Sequence, residues 1–293
     1  MFFCSQNCAQ VRLAGLFCGL LLLSFHANSQ ELDNTVITGA GAHFSWVLFD
    51  ALKPALEEHA GRPLKLFGEE SMLGAGCNAG IKSARQDQSR NESFGFVCCP
   101  LSDKEIEKEQ LRVFPLALEP ILILTHKNNP ISNLSAQQAR DIFSGRVHNW
   151  RELGGPDQNI VVVTRLHCKQ RPGHWKTILP EAKAFRQQRV NVKSAADMVD
   201  RVTDFPGAIG HTGSAWTFSP ASRVKALSID NHAPTAANLE KGLYPFYRQL
   251  SAVTSKNASP ELLSLMTYAQ ELLAGHPVAE EYQLLPLAKG LSQ

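Results

Sequence analysis

The sequence predicts an α/β fold with a largely parallel sheet, and three observations predict it. Short apolar strands alternate along the chain with amphipathic helices, which is the pattern of a sheet covered by helices. Several predicted strands end in Gly- or Ser-rich turns directly before a helix. The chain also shows no internal repeats and no low-complexity runs. Since ligands of open α/β sheets bind at such strand ends, where helix N-termini offer free N–H groups, we expect the functional site there.

The first predicted unit is a strand at residues 35–38 that leads into the Gly-rich turn 39–42. A helix follows, because apolar residues recur at i, i+3 and i+4 spacing from Phe44 to Leu56. Pro54 lies inside this pattern and predicts a kink in the helix.

Capping residues predict where the later helices begin. Ser135 opens a capping box, Ser194 caps a further helix, and Ser259 followed by Pro260 begins the last long helix, which Gly275 ends. Short apolar segments predict strands at residues 64–67, 94–97, 160–163 and 208–210. A longer apolar segment, residues 116–125, would run between two lobes.

Residues 1–29 have the features of a secretory signal peptide. Arg12 precedes an apolar run that ends at Phe25, and Ala27 and Ser29 supply small residues at the −3 and −1 positions of a cleavage site. The apolar run is shorter than the about 20 residues that span a bilayer, although an uncleaved anchor is an alternative. We therefore expect a periplasmic protein with no membrane insertion after the signal peptide is removed.

The charge balance of the chain excludes little but does not favour nucleic acid. The 293 residues include 29 Lys and Arg against 27 Asp and Glu, which gives a net charge of +2. A chain this close to neutral has no basic excess to attract nucleic acid or an anionic membrane. The length that follows the signal peptide suits one large domain or two modest ones.

Four cysteines follow the signal peptide, namely Cys77, Cys98, Cys99 and Cys168. In an exported protein an even number of cysteines predicts disulfides by default, and four cysteines allow three pairings. Structural disulfides are therefore the simplest interpretation, with which any other role of these residues must compete.

The sequence resembles the phosphate-binding proteins of bacterial ABC transporters. Residues 38–44 read Thr-Gly-Ala-Gly-Ala-His-Phe and are similar to the opening loop of that family, Gly-Ala-Gly-Ala-Thr-Phe. A closer match begins with Asp-Ile-Phe-Ser-Gly at residues 141–145. It goes on through Asn-Trp-Arg-Glu-Leu-Gly-Gly-Pro at 149–156 to Ile-Val-Val-Val-Thr-Arg at 160–165. The resemblance covers nearly all of the chain after the signal peptide.

The resemblance implies a two-lobed, type II solute-binding fold, in which each lobe is a mostly parallel sheet flanked by helices. Lobe 1 would contain residues 30–115 and 245–293, and lobe 2 residues 116–244. Crossover strands would join the lobes, and a ligand would be held in the cleft between them. The family consists of binding proteins rather than enzymes, but a shared fold does not identify a ligand.

Of the four segments that hold phosphate in this family, three carry a cysteine here. Cys77 replaces a Ser whose hydroxyl donates to phosphate, and Asn78 follows it in the same turn. Cys98 falls on the Asp that accepts the proton of a protonated phosphate. In the first loop, His43 stands where the family has Thr. These four residues are therefore candidate ligand-binding residues.

The fourth segment begins on Arg165, which matches the ligand-binding Arg of the family. The Gly-Ser-Gly-Thr that should follow is missing, and Cys168 lies within one residue of the missing Ser. A thiol is a weak hydrogen-bond donor, and each charge-assisted hydrogen bond is worth about 1.5–3 kcal/mol. The substitutions therefore predict weak binding of phosphate.

Three thiols at ligand positions favour a soft, thiophilic ligand. Cys77, Cys98 and Cys168 are accordingly predicted to bind As(III), Sb(III) or a soft metal such as Cu(I) or Zn(II). A binding-protein cleft that contains thiols resembles the cleft of the arsenite-binding periplasmic proteins that act in two-component sensing. The main prediction is capture of a thiophilic oxyanion such as arsenite; the alternative is phosphate or another oxyanion, with the cysteines in disulfides.

The expected partners are a small inorganic ligand and either a membrane permease or a sensor histidine kinase, and no cofactor is predicted. An enzyme would need a cysteine nucleophile with His43 or His167 as its base. Nothing in the sequence supplies a third group or an oxyanion hole, so catalysis is not the favoured interpretation.

Overall fold

The structure is a computed structural model that describes residues 36–67, 76–86, 92–168, 171, 173–216 and 223–287. The predicted signal peptide, residues 1–29, lies outside these residues. Within the part of the chain that the structure describes, no helix combines the length and the apolar character that crossing a membrane requires.

The strands of the described residues run along almost the whole of that length. They are β1 (Ile37–Gly41), β2 (Leu64–Phe67), β3 (Ser93–Val97), β4 (Leu111–His126), β5 (Asn133–Leu134), β6 (Val161–Thr164), β7 (Val190–Asn191), β8 (Ala208–Gly213), β9 (Val224–Ala226), β10 (Ser228–Ile229), β11 (Tyr247–Ser255) and β12 (Leu285–Pro286).

Helices alternate with these strands. They are α1 (Phe44–Ala60), α2 (Gly76–Gln86), α3 (Asp103–Lys108), α4 (Ala136–Ser144), α5 (Ala195–Asp204), α6 (Ala236–Glu240), α7 (Pro260–Gly275) and α8 (Pro277–Glu281). The predicted caps are confirmed: Ser135 forms a capping box with Gln138, and the Ser194 and Ser259 side chains accept from backbone N–H groups of α5 and α7.

The main sheet has the strand order β2-β1-β3-β11-β4-β8-β6-β7. Its two sides are parallel, since β1 pairs with β2 and β3, and β6 pairs with β7 and β8. Between them β11 and β4 run antiparallel to their neighbours. The predicted α/β class, with parallel strands flanked by helices, is therefore confirmed.

The buried apolar side chains fall into separate clusters, and β4 passes from one to the next. Leu116 and Ala117 belong to the cluster packed around β1, β3 and α7, whereas Ile121 and Ile123 belong to the cluster around α4 and Trp150. The apolar segment predicted at 116–125 is thus part of one long strand that connects two cores.

One difference from the sequence-based expectations concerns the N-terminal unit. The predicted turn at 39–42 is wrong at its start, because β1 continues to Gly41 and pairs there with Phe96. Alternating small residues keep an extended backbone when neighbouring strands supply the hydrogen bonds. Helix α1 contains Pro54 and continues past it to Ala60.

Glycines bring α2 directly onto the sheet. A Cβ on Gly80 of α2 would lie 2.3 Å from the Phe96 carbonyl oxygen, and a Cβ on Gly95 of β3 would lie 1.8 Å from the Gly80 oxygen. No other residue permits an approach this close. Cys77 lies in the first turn of α2, so this contact also sets the position of its thiol relative to the end of β3.

Candidate ligand-binding site

A small polar cavity lies where β3, β6 and β8 end and α1 and α2 begin. Its volume is about 40 Å³, where about 10–15 Å³ holds one water and organic ligands occupy about 300–1,000 Å³. The cavity therefore suits a small inorganic species. It is lined by Ala42, His43, Phe44, Gly76, Cys77, Cys98, Arg165, His167, Cys168, His174, Thr212, Gly213 and Arg248.

Cys77 and Cys98 are in direct contact at one side of the cavity. Their Sγ atoms lie 3.5 Å apart, and the backbone N–H of Cys98 donates to Cys77 Sγ at 3.2 Å. In the family resemblance Cys98 takes the position of a ligand-binding Asp. In the structure it lies next to Cys77 in the first turn of α2. Both side chains are buried, so their sulfurs face other side chains rather than solvent.

Cys99 and Cys168 complete the cluster of four thiols. Cys99 is fully buried and its Sγ lies 3.9 Å from Cys98 Sγ. The Sγ atoms of Cys77, Cys99 and Cys168 all lie within 4.8 Å of one another. All four cysteines are free thiols in this structure. The sequence-based ligand set omitted Cys99, because the resemblance assigns no role to the residue after the Asp position.

The thiols differ in their tendency to ionise. The hydrogen bond from Cys77, followed by that from Cys99, lowers the pKa of Cys168 to about 4. The pKa of Cys99 is raised, first by its hydrogen bond with Cys168 and then by those with Cys77 and Cys98. One charge on Cys168 thus discourages a second on Cys99, as expected for interacting groups. A thiolate is the form that binds metals and metalloids.

Two guanidinium groups supply positive charge to the same cavity. Arg165 follows β6, and its Nε donates to the Lys193 carbonyl oxygen at 3.0 Å. Arg248 of β11 is buried and forms an ion pair with the fully buried Glu119, which lies opposite it on the neighbouring strand β4. Burial lowers the pKa of Arg248, but the carboxylate of Glu119 outweighs burial and the pKa lies above its usual value. Arg248 therefore keeps its charge.

Histidines extend inward from the cavity. His174 Nε2 lies 3.0 Å from His211 Nδ1, and the His167 and His174 ring centroids are 4.6 Å apart. Burial lowers the pKa of His174 well below its usual value and that of His211 to about 3. The rings of His174 and His211 are therefore neutral at physiological pH and contribute hydrogen-bonding atoms without positive charge.

His43 is the N-cap residue of α1 and lines the cavity, as its position in the opening loop predicts. Burial, with the nearby charges of Arg165 and Arg248, lowers its pKa to about 3. His43 thus faces two permanent cations as a neutral ring. It supplies hydrogen-bonding capacity in place of the Thr hydroxyl of the family.

Asn78 is the one predicted site residue that the structure places outside the cavity lining. It is exposed on α2, where its Oδ1 accepts from Arg171 Nη1 at 2.5 Å. Arg171 also pairs with Glu105 through Nε at 2.9 Å. Asn78 therefore ties α2 to the segment after Cys168 rather than facing a ligand.

The structure also adds residues that the sequence did not single out. Arg248, Thr212 and His174 line the cavity, and Cys99 joins its thiols. Three of them come from β8, β11 and the short 3-10 helix His174–Thr177, segments without a ligand-binding motif. The one sequence signal among these residues concerned Cys99, which directly follows Cys98.

A small cavity at the carboxyl ends of strands lies where α/β proteins bind ligands, and comparisons with known proteins identify the family. The model of the PBP superfamily domain matches residues 26–273, and the chain belongs to this family. Two curated relatives are phosphate-binding proteins PstS. That of Borreliella burgdorferi is 22% identical over 197 residues, covering 63% of this chain and 71% of the relative. That of Bacillus subtilis is 32% identical over 130 residues, covering 44% and 42%.

Solved structures show the same fold. A phosphate ABC transporter substrate-binding protein from Clostridium perfringens, described with bound phosphate, superposes with a TM-score of 0.70 at 23% identity and covers 86% of this chain and 99% of its own. An ABC-type phosphate transport receptor from Vibrio cholerae gives 0.64 at 22% identity, covering 86% and 100%. At this level of identity the two structures show the fold, and both are named as phosphate transport proteins.

Proposed function

We propose that this protein is a periplasmic solute-binding protein of the phosphate ABC transporter type, which captures a small inorganic oxyanion and delivers it to a membrane permease. The observation that carries the proposal is the pair of guanidinium groups, Arg165 and Arg248, on one cavity of about 40 Å³. Because Glu119 already compensates the charge of Arg248, the charge of Arg165 is what favours an anion here, while both guanidinium groups offer N–H donors. The volume of the cavity admits only a small anion.

Phosphate, or another tetrahedral oxyanion, is the first candidate ligand. The curated relatives are named for phosphate, and Arg165 stands where the family resemblance puts the ligand-binding Arg. Thr212 and His43 also line the cavity and offer hydrogen-bonding groups in addition to the guanidinium groups. The loss of Ser, Thr and Asp ligands predicts an affinity below that of a complete phosphate site.

Arsenite is the second candidate, and the thiol cluster is the observation that favours it. As(III) bonds sulfur, and the sulfurs of Cys77, Cys99 and Cys168 lie within 4.8 Å of one another. Arsenite also lacks the charge that phosphate carries at neutral pH, so it needs thiols more than it needs Arg165. Phosphate uses the cations, whereas arsenite uses the sulfurs.

The proposal includes the two-lobed arrangement, with lobe 1 formed by residues 30–115 and 245–293 and lobe 2 by 116–244. It is supported by the two apolar cores that β4 connects and by a cavity whose lining comes from both ranges. The permease is the proposed partner because the similar proteins reported above are named as transport receptors. No observation favours a sensor kinase.

Calorimetry on the protein without its signal peptide tests the proposal, with phosphate, arsenate and arsenite titrated into reduced and oxidised samples. Binding of phosphate to both samples without a response to arsenite supports the first candidate. Binding of arsenite to the reduced sample alone supports the second. If none of the three anions binds to folded protein, the proposal is wrong.

Matched arginine variants sharpen this test. Arg165→Gln should weaken phosphate binding by about 1.5–3 kcal/mol, or roughly 10- to 150-fold, because it removes a charged donor. The control is Arg151→Gln, since Arg151 is exposed and pairs with Asp157 away from the cavity. Equal losses in both variants would mean that the net charge of the protein, and not the cavity, attracts the anion.

A further inference from the structure

Two groups of soft ligand atoms overlap in the thiol cluster. One group contains the sulfurs of Cys77, Cys99 and Cys168, and the other contains Cys98, Cys99 and a ring nitrogen of His167. Within each group all ligand atoms lie within 4.8 Å of one another. Cys99 belongs to both groups, so it is the centre of the arrangement.

The spacing of the first group matches a three-coordinate ion. Sulfurs bound at about 2.3 Å to one ion in a plane lie about 4.0 Å apart. The upper limit of 4.8 Å between Cys77, Cys99 and Cys168 therefore leaves a contraction of less than about 1 Å. Cys168 is only partly buried, so rotation of its side chain can supply part of that contraction.

The backbone of Cys168 has an unusual conformation. Its φ angle is 51°, in the left-handed region that residues with a Cβ rarely adopt. Its carbonyl oxygen accepts from the N–H of Arg171. Strained residues of this kind persist where the surrounding structure holds them, often at ligand sites.

We infer that Cys77, Cys99 and Cys168 form a three-thiolate binding site for a soft d10 metal cation, with copper(I) as the cation that fits best. Thiolates select Cu(I) and Zn(II) among the biological metals. Structural zinc is almost always bound by four ligands. Cys98 belongs to the second group and does not lie within 4.8 Å of all three sulfurs, so the four thiols do not form a tetrahedron.

The charge of the surroundings agrees with a metal–thiolate complex. One Cu(I) with three thiolates carries a charge of −2, and the guanidinium group of Arg165 on the same cavity offsets part of it, whereas Arg248 is already paired with Glu119. A buried complex without such cations would be destabilised by desolvation. The inference goes beyond the proposed capture of an anion, because it needs no anion, but it uses the three sulfurs that the arsenite candidate would also use.

Anaerobic titration of the reduced protein with Cu(I), in competition with a chromophoric Cu(I) chelator, tests the inference. We expect one Cu(I) per protein, and X-ray absorption should show three sulfurs at about 2.3 Å. Cys168→Ser should weaken Cu(I) binding at least 100-fold, and because Cys168 is only partly buried the variant should still fold. Circular dichroism confirms folding in each variant.

Cys98→Ser is the matched control, since Cys98 is outside the three-sulfur group, and it should weaken Cu(I) binding less than 10-fold. Equal losses in the two variants, or no Cu(I) binding by folded protein, would overturn the inference. A Zn(II) site with four sulfurs and a higher affinity than for Cu(I) would overturn the choice of metal. Phosphate titrated in parallel keeps this result separate from the anion proposal, because phosphate would use the guanidinium groups and can bind when Cu(I) does not.

Discussion

The sulfur side and the cation side of the cavity are positioned in different ways. Cys77, Cys98 and Cys99 owe their positions to backbone packing, because two glycines let α2 lie directly on β3. Arg248 owes its position to electrostatics, since it is buried and paired with Glu119. The comparison teaches that added volume should damage the first side, whereas a lost charge should damage the second.

The largest expected effect follows from removing the partner of Arg248. Glu119→Gln leaves a buried guanidinium without its counter-charge, so the free energy of unfolding should fall by about 3–5 kcal/mol. Urea denaturation followed by circular dichroism measures the loss. The control is Asp157→Asn, which removes an exposed pair with Arg151 and should cost about 0–1 kcal/mol. Similar losses in the two variants would mean that the buried pair has no special role.

Added volume on the sulfur side should have a smaller but clear effect. Gly95→Ala puts a Cβ against the Gly80 backbone, which cannot move aside as a side chain would, and should lower stability by about 1–3 kcal/mol. The displacement of α2 should also increase the reactivity of Cys77 towards a thiol reagent. Gly275→Ala is the control, because a Cβ there meets nothing within 4 Å. Unchanged stability and thiol reactivity in Gly95→Ala would contradict the packing argument.

A capping variant far from the cavity gives a reference for ordinary local damage. Ser135→Ala removes the side chain that accepts from the Gln138 N–H at the start of α4, and should cost about 1 kcal/mol. Thermal or urea unfolding measures this, and anion affinity should not change. A change in affinity would show that the cavity responds to distant helix ends, which would weaken the comparison of its two sides.

The last prediction concerns the pH dependence of alkylation and involves no substitution. The pKa of Cys168 is lowered to about 4, so this residue is a thiolate over the whole neutral range. Its reaction rate with iodoacetamide should stay level from pH 8 to pH 6 and fall only as the pH approaches 4, whereas an ordinary thiol already slows below about pH 8.5. Peptide mass mapping assigns the modified residue. A rate that falls steadily below pH 8 would show that the thiol is not ionised.

Local signals predicted much of the fold and part of the site. The caps at Ser135, Ser194 and Ser259 lie where the sequence put them, because a cap depends on residues within one turn. The prediction of a turn at 39–42 was wrong at its start because β1 pairs with β3, which is distant along the chain. This pairing keeps residues 39–41 extended.

The sequence by itself determined the α/β class and the starts of α4, α5 and α7, and its resemblance to phosphate-binding proteins implied that Cys77, Cys98, Arg165 and Cys168 converge on one cavity. Only the tertiary structure decided that Cys99 joins the thiols, that Arg248 is a second cation and that Asn78 faces the surface. The physical reason is that these outcomes depend on side-chain direction. That direction is set by the close contact of Gly80 with β3, the pairing of β11 with β4, and the left-handed turn at Cys168.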